Sequence, residues 1–389
     1  MAQRPIISFL LGAALLATHA AAEQPASTVH PTAQRLTPRS GDTATLRSEH
    51  FVIQYDPAYL TAEQVEEARK VAEAGWRHCA GRFGIEGPAQ IVLDLSPDFL
   101  GATGFAVPAE ANPRGGRQQE ARIGVRYGDL DYLGLPAPYV ITHEIAHLFS
   151  GSLGGSALGE GIADWGAGGF AGVPMAHWWG RALRQGDLWI DPEALFLSGE
   201  FAPAPEVNEV IRTARYAESG LLVFYLVERF GWERTRRFAE EYDRLRGPLE
   251  SNEDRRRRFA ERPRNPSRRT APPAIPSAAA IRTLIEQRLG VAWDTLREDW
   301  ERRMGETPMP AEASARLVLA QQIYGAIRNY EMWLIEQRAG PSATTRTVVR
   351  EAFTAANAAL ARGDFQEAGR ALSRARRIVG YLRNPPLTT

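Results

Sequence analysis

His143, Glu144, His147, Glu160 and Asp164 lie within one glycine-rich stretch, APYVITHEIAHLFSGSLGGSALGEGIADWGAG (137–168). Two histidines four apart share one face of a helix, one turn apart, so their imidazoles converge on a single cation. Glu144 projects to the side of that face, where it reaches a water beside the cation without being a ligand. H-E-x-x-H alone is a short pattern, equally compatible with two structural histidines on a surface helix, so the chemistry turns on a third ligand.

Glu160, thirteen residues past His147, supplies it. The segment FSGSLGGSALG turns the chain back into a second helix antiparallel to the first, and GEGIADW opens that helix with Glu160 in its first turn. Two histidines and one carboxylate leave a tetrahedral position for water, the layout of catalytic rather than structural zinc. One Zn2+ per chain is expected. Asp164, four residues after Glu160, faces the same way and is placed to accept the free ring N–H of a ligand histidine, which fixes the ring and strengthens the ligand. The competing reading of Glu160 and Asp164 is an acidic helix start.

With these residues the chain resembles the gluzincins, metallopeptidases whose H-E-x-x-H is followed by a helix bearing E-x-x-x-D. It is most similar to compact bacterial members whose second helix reads roughly L-x-E-G-x-A-x-W/Y, here LGEGIADW (158–165). The resemblance implies His143, His147 and Glu160 as zinc ligands, Glu144 as general base and Asp164 as the group behind the ligands. It extends to YAESGLLVFYLVERFG (216–231), where it implies that Tyr216, opening the helix, polarises the scissile carbonyl; packing of a helix-start aromatic is the alternative. LGVAWDTLREDWERRM (289–304) resembles the closing segment of such domains. The implied fold is α+β, a zincin-like (thermolysin-like) domain with a small mixed sheet and a helical lobe, followed by an all-α C-terminal tail. The G-x-M-E-N motif that binds a substrate amino terminus is absent from EARIGVRYGDLDYLGLPAP (120–138). An endopeptidase is therefore expected over an aminopeptidase, with ARIGVRY (121–127) as the cleft edge that pairs with an extended peptide. The alternative is a catalytically weak or inactive zinc-bearing scaffold of the cell envelope.

The elements that must position these residues are legible as patterns. HFVIQYD (50–56), QIVLDLS (90–96) and ARIGVRY (121–127) alternate as strands, and the glycine- and proline-rich stretch between the last two reads as a loop. Residues 61–84 carry a helical face of Val65, Ala68, Val71, Ala72, Gly75 and Trp76, with Thr61 as N-cap and Gly84 as stop. Helical patterns follow at 136–150, 157–169, 215–230, 232–245, 278–289 and 292–304.

The domain expected at 46–305 is interrupted by an Arg/Pro-rich insertion at about 251–277, a solvated segment by composition and, as a minority reading, a polyanion patch. Residues 311–389 are expected to be helical and to dock on the domain or on a protein partner. Within them 352–378 resembles a single tetratricopeptide-type unit, which cannot bury its own apolar face. Residues 1–22 have the charged start, apolar run and small-residue cleavage site of a signal peptide, and 23–45 form a polar, flexible lead-in. The mature protein is thus expected to be exported, periplasmic or secreted, without a transmembrane anchor. With 46 basic and 46 acidic residues the net charge is zero, which argues against nucleic acid as a partner and leaves a peptide or protein substrate. The lone Cys79 allows no intramolecular disulfide and reads as a small buried hydrophobe. His78 and His177 read as packing or surface residues.

Overall fold

The computed structural model describes residues 43–95, 103–107, 120–150, 157–170, 172–197, 209–246, 277–336 and 341–383. The expected signal peptide, nearly all of the lead-in and, apart from Ser277, the Arg/Pro-rich insertion lie outside them. The architecture is α+β and mostly helical, with a small mixed sheet.

Five strands form that sheet: β1 (Ala44–Arg47), β2 (Phe51–Tyr55), β3 (Ile91–Asp94), β4 (Gly104–Val107) and β5 (Ala121–Val125). Their spatial order is β1-β2-β3-β5-β4, with β2, β3 and β5 parallel and β1 and β4 antiparallel to their neighbours. The parallel centre carries Ile53, Leu93 and Ile123 in register, all fully buried.

Two expectations change here. ARIGVRY does not supply the edge, because β5 is paired on both sides. Among the described residues the edge on that side of the sheet is β4, inside the stretch expected to be a loop. Four residues beginning with glycine are too short to show alternation, and this strand exists through its pairing with β5. The sheet also begins at Ala44, at the very end of the expected lead-in.

Helix α1 (Ala62–Phe83) opens with a reciprocal Thr61/Gln64 capping box and closes at Gly84, as its sequence predicts. It packs on β2 and on α3 (Ala137–Ser150), which also lies against β5 and β4. Between them, a 3-10 turn (Tyr127–Asp129) and the short α2 (Leu130–Leu133) leave β5. From Val140 to Ser150 every residue of α3 is buried. A helix enclosed on all sides must satisfy its polar side chains internally, which sets up the site described below.

Helix α4 (Ala157–Ala167) packs on α3 and on α7 (Glu209–Phe230). Close approach of α4 and α7 depends on glycine: a Cβ on Gly161 would meet the Ser219 carbonyl oxygen at 2.4 Å, and one on Gly220 would meet Asp164 Cβ at 2.9 Å. Between α4 and α7 lie the two-stranded β6 (Gly169–Phe170) and β7 (Val173–Pro174), then α5 (Trp179–Gln185) and α6 (Pro192–Leu197). After α7 follow α8 (Trp232–Arg246), α9 (Ala278–Leu289) and α10 (Trp293–Glu306). No helix among the described residues is long and apolar enough to cross a membrane.

Helix α7 begins six residues before the expected start at 215. Val210, Ala214 and Ala217 continue the buried face of Leu221 without a breaker, so the helix extends backwards. Tyr216 consequently sits two turns inside it.

The tail forms α11 (Ala311–Glu336) and a helical pair, α12 (Ala343–Ala361) and α13 (Phe365–Arg383). It shares one continuous apolar core with the preceding domain, through Leu317, Ile323, Ile327, Phe353 and Leu360. Polar ties fix it to the segment after β5. Arg126 donates to both carboxylate oxygens of Glu331 at 2.9 Å, Arg350 pairs with Asp129 at 2.6 Å, and Asn357 donates to the Tyr132 carbonyl at 2.7 Å. The tail thus docks on the domain.

Candidate metal centre

The buried faces of α3 and α4 bring His143, His147 and Glu160 together. His143 Nε2 lies 3.4 Å and His147 Nε2 3.3 Å from the same oxygen, Glu160 Oε2. The two rings stand nearly perpendicular, centroids 4.9 Å apart. Charge-assisted N–H···O bonds run near 2.7–2.9 Å, so both spacings are long for direct hydrogen bonds. Ligand atoms about 2.0–2.1 Å from a shared tetrahedral ion lie about 3.3–3.4 Å from one another. The donor set and spacing therefore fit one zinc ion.

On its other nitrogen His143 has an ordinary strong hydrogen bond: Nδ1 lies 2.8 Å from Asp164 Oδ1. That oxygen also accepts from the Tyr139 hydroxyl at 2.7 Å. Asp164 is completely buried, so it has little freedom to turn away from His143. Tyr139 was not singled out from the sequence, although it stands four residues before His143 on the same helix face. His147 differs, since its Nδ1 is buried with no hydrogen-bond partner among the described residues.

Electrostatics follow from burial and pairing. Burial by itself would hold the His143 pKa down, but Asp164 and Glu160 outweigh it and set it well above the ordinary histidine value. For Glu160, burial favours the neutral acid and the two imidazoles overcome it, placing it below the ordinary carboxylate range. Burial raises Glu144, with the imidazoles offsetting only part. Burial, then Asp164, raises the Tyr139 phenol well above its usual value, keeping it a donor. Metal ligands bind in their deprotonated forms, so a bound cation would compete with protons at this site.

Glu144 lies outside the three-ligand group and against β4: a Cβ on Gly104 would fall 2.3 Å from Glu144 Oε1. No side chain fits there unless the carboxylate moves. Tyr216, mid-helix rather than at the helix start, is half-buried against Ala157 in the first turn of α4 and Leu195 of α6.

The remaining candidates separate from this centre. His177 Nε2 pairs with Glu228 at 2.5 Å, and His78 Nε2 with the Gly166 carbonyl at 2.9 Å. Glu49, His50 and Glu73 also lie within ligand distance of one another. Both Glu73 oxygens are already used, one by Ser48 Oγ and the His50 amide, the other by His50 Nδ1. That group ties the β1–β2 turn to α1. Burial pushes the Cys79 thiol up to about 12, in keeping with a packing role. No protein-family model matches the chain, and no curated protein matches it.

Proposed function

We propose that this protein is a zinc-dependent peptidase of the gluzincin type, with a zincin-like fold, cutting peptide bonds within chains. The observation that carries this reading is the paired 3.3 and 3.4 Å spacing of two imidazole nitrogens about one Glu160 oxygen. His143, His147 and Glu160 hold the ion, and Asp164 with Tyr139 fixes the His143 ring. A zinc ion there supplies Lewis-acid polarisation and a water acidic enough to ionise near neutrality. Glu144 takes a proton from water and delivers it to the leaving nitrogen, a role favoured by a carboxylate raised through burial. Tyr216 donates to the developing oxyanion. A peptide is the favoured substrate because, among the described residues, the sheet ends at β4, beside Glu144, where an extended chain can add as a further strand. Export, with residues 1–22 as a removable leader, belongs to the same proposal.

The test is turnover of a quenched peptide library by purified protein stripped of metal and then restored with zinc. Activity should vanish and return. Glu144→Gln should bind zinc and fold normally while losing most turnover. Near-normal activity in that variant, or in metal-free protein, would end this reading.

A further inference from the structure

No described residue of the tail belongs to the candidate metal centre, yet one of its side chains touches both flanks of the site. Tyr324, in the middle of α11, shares a 2.6 Å hydrogen bond with the Thr103 hydroxyl. Thr103 immediately precedes Gly104, the residue that abuts the Glu144 carboxylate, and its carbonyl accepts from the Arg126 amide at 3.0 Å. The edge strand is thereby fastened at its start from two sides. The Tyr324 ring also lies 6.4 Å from Phe170, which packs edge-to-face at 5.3 Å on Tyr139, the donor to Asp164.

We propose that Tyr324 is a positioning residue: through the Thr103 hydroxyl it holds edge strand β4 against Glu144, making the C-terminal helices a working wall of the site. The physical case rests on the weakness of β4. Four residues at the end of a sheet, with a glycine at the contact, have few interactions of their own to resist fraying. Displacement at that point moves the wall against which Glu144 is set, and small misplacements of a base lower the chemical step more than binding.

The tail itself is already tied down by Arg126–Glu331, Asp129–Arg350 and the shared core. Removing one hydroxyl from Tyr324 therefore leaves the tail docked and isolates the link to the strand.

The kinetic part of this inference rests on the peptidase reading, so the experiment has a second readout that does not. Tyr324→Phe and Thr103→Val are compared with Thr103→Ser, which keeps the hydroxyl, and with the Tyr324→Phe/Thr103→Val double variant. All are measured for zinc content, for hydrogen exchange at residues 104–107 and for kcat and KM on a peptide substrate. Expected are unchanged zinc, faster exchange in β4 and a fall in kcat on the order of 10-fold with KM little altered. The serine variant should resemble wild type, and the double variant should be no worse than the poorer single one. Unchanged exchange in both single variants overturns the inference, as does faster exchange with unaltered kcat in an active enzyme. If wild type itself turns over no peptide, the peptidase reading fails, and the exchange data alone decide whether Tyr324 holds the strand.

Discussion

Glu144 and Gly104 occupy one space: the carboxylate of the first fills the volume where a side chain on the second would begin. Glu144 on α3 and the first residue of the edge strand therefore constrain each other. Gly104→Ala should displace Glu144 and lower kcat by about 10- to 100-fold without loss of zinc, since misplacement of a reacting group costs on this scale. Steady-state kinetics with metal analysis checks it. An alanine variant with normal turnover would show that Glu144 has room to spare.

Loss of any one ligand among His143, His147 and Glu160 should abolish stoichiometric zinc binding. Asp164→Ala should keep a site but weaken zinc affinity by roughly 10- to 100-fold, the usual effect of removing the group behind a ligand. Tyr139→Phe should weaken it less, because Asp164 keeps its bond to His143. Competition titrations against a chelator resolve these steps. Equal affinities in wild type and Asp164→Ala would separate the aspartate from metal binding.

Tyr216→Phe keeps the ring that packs on Ala157 and Leu195 and removes only the hydroxyl. As an oxyanion donor its loss should reduce kcat and kcat/KM together, on the order of 10²–10³. Zinc content and melting temperature should stay unchanged. A fall in melting temperature with normal turnover would leave Tyr216 as a packing residue of α7.

Arg126, Asp129, Glu331 and Arg350 form the ionic tie between the tail and the segment after β5. Burial disfavours the Asp129 carboxylate, but Arg126 and Arg350 outweigh it and hold its pKa below the ordinary value. Its stabilising contribution is therefore present above the unfolded-chain value of about 3.9 and is lost as pH falls through the lower folded value. Asp129→Asn should flatten the acid limb of a stability-against-pH curve; slopes equal to wild type would rule this out. Glu331→Gln leaves Arg126 with Asp129 as its remaining carboxylate partner and, by removing a charge-assisted pair, should cost about 1–3 kcal/mol in denaturant unfolding at neutral pH.

The grouping of His143, His147 and Glu160 as candidate metal ligands was legible because the spacing behind it is local. Four-residue spacing on a helix fixes which side chains share a face, so His143/His147 and Glu160/Asp164 could be paired before any packing was known. Helix existence was legible for the same reason, from apolar periodicity and caps such as Thr61.

What the tertiary structure alone decided depends on contacts between segments distant in sequence. The edge strand is β4 rather than β5 because strand order follows from pairing, which a four-residue run beginning with glycine does not announce. Tyr216 moved from the start of its helix to its interior because the apolar face of α7 runs on past the expected boundary. Tyr324 and Thr103 lie 221 positions apart, and no spacing rule reaches across that interval. Local periodicity determines which side chains are available to a centre; burial between elements determines which of them meet.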